Sequence, residues 1–348
     1  MKSKLNILLI SSFALPVKLR GYGGLERVVY LLAKGLSELG HKVTIVTCRG
    51  SEINIRGVEV VEVCDCDFSI HNEKLAYSRY RDLVSRFDIV NDHSWLKLSL
   101  REFNNVVGTH HAPIPPLDLL LTRSRIVLVS ESHSRYVEDR FGVKLPYVRH
   151  GIDPSQYPYR EGKEDYVLFL NRIDEEKGAL TFVKWCRKYN LKCIVAGEDK
   201  HVGSREYVEK VMRECNGKHV EFWGRVDEDE KIDLLSHAKC VVSFSGFERD
   251  WVEVFGLFIL ESLACGTPVL VYDTLGGPKE IVEFSRVALG KVVGYTFTDL
   301  EDAYNKLRQI GNVRSSDCRE VVEKYFNYTR MSREYLEVFK KFIALEVE

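Results

Sequence analysis

Short apolar runs alternate with longer amphipathic stretches throughout this chain of 348 residues, and few architectures accept that pattern. The apolar runs fall at 5–10, 42–47, 58–63, 88–91, 105–108, 126–130 and 145–149. Between the first two, Leu25, Val28, Val29, Leu32, Leu36 and Leu39 repeat at the helical i, i+3, i+4, i+7 spacing, and Gly40 follows as a cap. Strands alternating with such helices predict a parallel sheet with crossover helices. The pattern then restarts. Asp165-Tyr-Val-Leu-Phe-Leu170 predicts a strand, 178–189 a helix, and 193–196, 219–223, 240–244 and 268–272 further strands. Between the halves runs Gly151-Ile-Asp-Pro-Ser-Gln-Tyr-Pro-Tyr-Arg-Glu-Gly162, which reads as a linker.

A chain of this length exceeds one core, so two α/β domains are expected, residues 1–155 and 156–328. The end of the chain predicts helices at 316–326 and 329–346, with Tyr335, Phe339 and Phe342 on one apolar face of the second. Hydrophobic content of 45% with 29% charged residues is that of a soluble globular protein. The net charge of −1 shows no bias toward nucleic acid. Residues 1–155 hold 21 Lys+Arg against 17 Asp+Glu, a net +4 that permits contact with anionic lipids or a phosphorylated acceptor. The nine cysteines are scattered, without Cys-x-x-Cys, and are expected as reduced thiols of a cytosolic protein. Met1 to Ile10 reads as a first buried strand rather than a signal peptide, and no run reaches the roughly 18 apolar residues of a spanning helix. The expected location is cytoplasmic, with peripheral contact at the inner face of the membrane left open.

The chemistry is concentrated in Glu253-Val-Phe-Gly-Leu-Phe-Ile-Leu-Glu261, followed by Ser-Leu-Ala-Cys-Gly-Thr-Pro268. Gly256 and the apolar run after it predict a loop turning into a buried helix. Glu253 then stands in the loop and Glu261 one to two turns inside the helix. A helix start offers free N–H groups and a positive dipole end, which suits a phosphate. Two carboxylates beside an anion site suit a ligand with both hydroxyls and phosphates, such as a nucleotide sugar.

This stretch resembles the donor-site signature of family 4 of the retaining nucleotide-sugar glycosyltransferases, which have the GT-B fold. Glu253, Phe255, Gly256, Glu261, Ala264, Gly266, Pro268 and Val269 fit its pattern, whereas Val254 replaces the usual glycine or proline. The resemblance extends to Arg20-Gly-Tyr-Gly-Gly-Leu-Glu26, whose Gly23, Gly24 and Glu26 match the family's Gly-Gly-x-Glu loop near the donor diphosphate. Glu26 also stands where a dinucleotide fingerprint would need a small residue. In Asn171-Arg-Ile-Asp-Glu-Glu-Lys-Gly178, Arg172 and Lys177 match the family's diphosphate-binding pair, Arg as a fork and Lys as a point charge. In Gly108-Thr-His-His-Ala-Pro113 the alignment favours His111, with His110 second, as the histidine that contacts the donor sugar. Asp92-His93 could help bind acceptor, and His150-Gly-Ile-Asp153 resembles a structural turn before the linker.

The resemblance implies two Rossmann-like domains with parallel sheets facing a central cleft, the second binding the donor and the terminal helix packing back on the first. It implies a retaining hexosyltransferase that takes a nucleoside-diphosphate sugar, UDP-sugar leading, and a glycan, lipid-linked or small-molecule acceptor. Glu253 is then assigned to the donor sugar, Glu261 to the ribose, and Phe255, Gly256 and Leu257 to the donor loop. No cofactor or metal is called for: Asp65-Cys-Asp67 and Asp227-Glu-Asp229 have the letters of a metal motif but read as acidic turns. A nucleotide-sugar epimerase and a non-catalytic nucleotide-sugar-binding subunit remain as alternatives.

Overall fold

The computed structural model describes residues 4–120, 125–200, 204–215 and 217–345. The chain divides into two compact units, Met1–Ile152 with Asn327–Glu348, and Asp153–Phe326.

The first unit runs β1 (Asn6–Ile10), α1 (Gly24–Glu38), β2 (Lys42–Cys48), β3 (Val58–Cys64), α2 (Ile70–Tyr80), β4 (Ile89–Asp92), α3 (Leu98–Glu102), β5 (Val106–Thr109), α4 (Leu117–Leu120), β6 (Ile126–Val127) and α5 (Glu131–Phe141). The second runs β7 (Val167–Leu170), α6 (Ala179–Lys188), β8 (Cys193–Ala196), α7 (Arg205–Glu214), β9 (Val220–Gly224), α8 (Glu228–His237), β10 (Cys240–Ser243), α9 (Leu257–Ala264), β11 (Val269–Tyr272), α10 (Gly277–Leu289), β12 (Gly294–Phe297), α11 (Leu300–Gln309) and α12 (Ser315–Tyr325). The final helix, α13 (Tyr328–Leu345), belongs to the first unit.

Each unit holds one six-stranded sheet, ordered β3-β2-β1-β4-β5-β6 and β12-β11-β10-β7-β8-β9. Every strand pairing is parallel. Counted within its own unit, each order is 3-2-1-4-5-6, the doubly wound arrangement. It reverses direction between β1 and β4 and between β7 and β10, and ligands of such sheets bind beyond the carboxyl ends of the strands at that reversal. Strand residues such as Ile7, Leu8, Leu9, Val241 and Val242 are fully buried, as a sheet covered on both faces requires.

On α1 Val28, Val29, Leu32 and Leu36 of the predicted face are buried and its ends, Leu25 and Leu39, partly so, and Gly40 takes φ +90° just past the helix end. Burial of Val28, Val29, Leu32 and Leu36 contributes about 1.5–3 kcal/mol per side chain relative to exposure. An adjoining side of α1 meets α13. Gly35 lies at that crossing, where an added Cβ would come within 2.2 Å of Ser332 Oγ and 2.7 Å of its Cβ. At the base of α13 the Tyr328 amide donates to the Ile152 carbonyl at 2.8 Å.

Three expectations are corrected. Residues 145–149 form no strand: the segment touches the sheet only through a bridge between Leu128 and Tyr147. Pro146 has no N–H to give a ladder, which stops the pairing there. The short edge strand β12 and helices such as α10 and α11 lie where no element was assigned. The cysteines are not all reduced, because Cys48 and Cys66 are joined by a disulfide with Cα atoms 5.2 Å apart. Cys48 ends β2 and Cys66 follows β3, so two neighbouring parallel strands deliver them to one place. Seven free cysteines remain. Among the described residues no helix is long and apolar enough to cross a membrane.

The Gly35 crossing gives a stability prediction. Gly35→Val should cost about 1–3 kcal/mol through overpacking, read as a Tm several degrees lower in a thermal melt. An unchanged Tm would mean the two helices part easily.

Candidate functional site

In the second unit two loops meet at the sheet's reversal point. One follows β7 and carries Arg172 and Lys177. The other follows β10 and carries Glu253. Gly178 makes their approach feasible: it starts α6 at φ +73°, and a Cβ there would lie 2.7 Å from the Phe244 backbone oxygen. Lys177 is buried, and its Nζ stands 2.5 Å from Glu253 Oε2. Its amide donates to Asp174 Oδ1 at 3.0 Å. Arg172 ion-pairs with Glu176 at 2.8 Å and Asp174 at 3.3 Å. Burial raises the Asp174 carboxyl above its ordinary value, with Arg172 and Lys177 pulling it back. Both cations also lie against the indole of Trp251, Lys177 Nζ 5.2 Å and Arg172 Cζ 6.0 Å from the ring centroid.

Glu253 is fixed by its own backbone. Its carbonyl accepts from the Gly277 amide at 2.8 Å, and a Cβ at Gly276 would sit 2.9 Å from that oxygen. Gly256 then begins α9 at φ +83° with no side-chain cap. The first-turn N–H groups of α9 therefore offer a positive helix end. Phe255 is buried, so its side chain is packing, while Leu257 at the helix start is half-buried. Beside Glu253 lies a small recess bordered by Ser245, Tyr272, Thr274 and Lys279. Glu261 lies one turn further along α9, buried, with Oε2 3.2 Å from Lys231 Nζ on α8. Lys231 also pairs with Glu228 at 2.7 Å. The structure thus brings Arg172, Lys177 and Glu253 together and gives Glu261 a separate cationic partner.

In the first unit the glycine-rich turn opens α1. Gly23 has φ +127°, and a Cβ there would come within 2.6 Å of Glu26 Oε2, because Glu26 folds back over its own helix start. Gly24 is the first residue of α1. Glu26 is buried and accepts a hydrogen bond from Ser12 Oγ just beyond β1. Burial raises its carboxyl above the ordinary value, opposed by the Ser12 bond.

Five histidines of this unit, His93, His110, His111, His133 and His150, lie past β4 and β5. Asn91 Nδ2 donates to the Val107 carbonyl at 3.0 Å, so its oxygen faces His93 Nε2 at 2.7 Å. His93 then donates there, and its Nδ1 accepts from His111 Nε2 at 2.9 Å. His111 is partly buried and stacks on His150 with centroids 5.2 Å apart. His110 is buried instead, 6.1 Å from the His133 ring. Asp92 and His93, expected to reach an acceptor, are buried: Asp92 Oδ1 accepts from the Ser94 amide at 2.9 Å. Burial pushes His133 down to about 4 and His150 to about 3, and lowers His93, His110 and His111 well below the ordinary value. Burial also pushes the Lys97 ammonium down to about 8, with Asp92 and Glu73 opposing.

Sequence reasoning missed Trp251, Asp174, Glu176 and Lys231. Ion-pair partners of a predicted cation carry no motif of their own, and Trp251 lies in a stretch with no helical or strand period. Of the acidic turns, Asp227 caps α8 in a reciprocal capping box with Glu230. No group of three or more His, Cys, Asp or Glu placed to hold a metal occurs among the described residues.

Comparison with known proteins agrees with this architecture. The family described as Glycosyltransferase Family 4 matches residues 22–156, and the one described as Glycosyl transferases group 1 matches residues 156–293. An uncharacterized glycosyltransferase of Methanocaldococcus jannaschii is 25% identical over 75% of this chain and 79% of its own length. A glycogen synthase of Mycobacterium tuberculosis is 25% identical over 80% of each. Among solved structures, AviGT4, a glycosyltransferase involved in avilamycin A biosynthesis, superposes with a TM-score of 0.77 at 23% identity, covering 98% of both chains. The fold and these matches define a GT-B glycosyltransferase. The chain belongs to the family 4 type of that class.

The buried neutral histidines set a pH dependence. Each has a folded value below its ordinary 6.5, so below that pH the unfolded chain binds protons that the folded chain does not. Stability should be whole above about pH 6.5 and fall as the pH drops toward 4. Urea unfolding at pH 7 and pH 5.5 checks this, and His150→Asn should shrink the difference. Equal stability at both pH values would contradict it.

Proposed function

We propose that this glycosyltransferase is a retaining enzyme that takes its sugar from a nucleoside-diphosphate sugar, with UDP-sugar the leading donor. The observation that carries the reading is the convergence of Lys177, Arg172 and Glu253 at the reversal point of the second sheet, beside the start of α9. The acceptor is a hydroxyl of a glycan, a lipid-linked sugar or a small molecule; a relative named glycogen synthase favours a sugar hydroxyl.

The chemistry follows from charge. As the anomeric C–O bond breaks, negative charge grows on the diphosphate. Arg172 supplies a planar fork, Lys177 a point charge and α9 its N-terminal amides. Both cations are neutralised by carboxylates, Lys177 by Glu253 and Arg172 by Glu176 and Asp174. A donor exchanges these pairs: phosphate takes Lys177, and sugar hydroxyls donate to Glu253. One molecule bearing both groups leaves neither buried charge unpartnered, which a free phosphate cannot do. The acceptor oxygen attacks on the face the diphosphate leaves, its proton passes to the departing phosphate oxygen, and configuration is retained. Glu261 holds the ribose hydroxyls, its carboxylate oriented by Lys231.

The test is thermal melting of the protein against nucleotide sugars and free nucleoside diphosphates. A bound donor raises Tm, and no rise with any of them would contradict the reading. Arg172→Ala and Lys177→Ala should each lower turnover roughly 10²–10³-fold with unchanged circular dichroism. Glu261→Ala should raise the nucleotide Kd more than it lowers kcat. Lys231 keeps Glu228 at 2.7 Å in that variant, so no cation is stranded. The opposite pattern would exchange the roles of the two glutamates.

A further inference from the structure

We propose that Trp251 is a positioning residue of the donor site, its indole face holding the Arg172 and Lys177 side chains together for the diphosphate. The inference rests on the donor-site reading above and assigns a residue that the family pattern does not include. Trp251 stands two positions before Glu253 in the loop between β10 and α9. One aromatic ring lies against both cations, 5.2 Å from the Lys177 ammonium and 6.0 Å from the Arg172 guanidinium carbon.

Two cations aimed at one ligand repel each other. A carboxylate between them would relieve the repulsion but would also compete with the phosphate for both. An aromatic face attracts cations through its quadrupole while carrying no net charge, so the positive potential remains available to the ligand. Asp174, Glu176 and Glu253 also pair with the cations, and a phosphate can displace them. The ring does not need to leave.

The loop that delivers the indole is tied down. The Gly246 amide donates to the Glu176 carbonyl at 3.0 Å, joining the β10 loop to the β7 loop. Gly246 has φ +83°, and a Cβ there would meet the Trp251 backbone oxygen at 2.7 Å, so the turn accepts little else. The indole Nε1–H is buried and finds no acceptor among the described residues. Replacing Trp by Phe therefore removes no hydrogen bond to a described residue, and it isolates the contribution of the ring.

The experiment is calorimetric titration of wild type, Trp251→Leu and Trp251→Phe with uridine, guanosine and adenosine diphosphates, each beside its monophosphate. Melting temperatures of the three proteins are compared in parallel. Trp251→Leu should weaken the bound diphosphate about tenfold and reduce the preference over the monophosphate, and Trp251→Phe should restore affinity to within about threefold of wild type. A Leu variant that keeps the wild-type diphosphate preference overturns the assignment. So does a Phe variant as weak as Leu with an unaltered Tm, which would place the effect in the indole rather than the aromatic face. If wild type binds no nucleoside diphosphate, the donor-site reading fails and this inference fails with it.

Discussion

The pairing of Lys177 with Glu253 joins two loops that leave the sheet on either side of its reversal point. A buried ammonium must have a partner, because an uncompensated charge in the interior costs several kcal/mol. That requirement sets the approach of the β7 and β10 loops. Gly178 and the Gly276–Gly277 pair leave the room that the approach requires. Arg172, Trp251 and the start of α9 occupy the same corner as a consequence. Three carboxylates face two cations there.

The first unit solves a different electrostatic problem. His93, His110, His111, His133 and His150 lie in or beside the interior past β4 and β5, where the neutral ring is the stable form. Hydrogen bonds then decide which nitrogen carries the proton. Asn91 is oriented by a backbone carbonyl, orients His93, and through it sets His111 with Nε2 as donor and Nδ1 as its remaining acceptor. Tyr335 on α13 closes the base of the cluster, with Thr109 Oγ1 3.3 Å from its hydroxyl and its ring 6.4 Å from His93. The C-terminal helix therefore supports the cluster as well as covering α1.

Much of the fold was legible because buried parallel strands write themselves as apolar runs. The runs at 5–10, 42–47, 193–196 and 268–272 became β1, β2, β8 and β11 with shifts of a residue or so. Pro146 was present in the run at 145–149 and was the signal against a strand there. The edge strand β12 begins at a glycine and is only partly buried, so its pattern is weak. The disulfide was invisible because its partners stand 18 residues apart and meet only through parallel pairing of β2 with β3. In the candidate site the motif residues were legible as motifs, while their neutralising partners were not. Nothing in the sequence says that Lys231 faces Glu261 or that Trp251 lies against two cations, since both contacts depend on how the loops pack.

The most direct measurement is a crystal structure of the protein with a bound nucleoside-diphosphate sugar. The account predicts β-phosphate oxygens within about 3 Å of Lys177 Nζ and the Arg172 guanidinium, with Lys177 drawn away from Glu253. A nucleotide bound elsewhere, or one bound with the Lys177–Glu253 pair undisturbed, would contradict it.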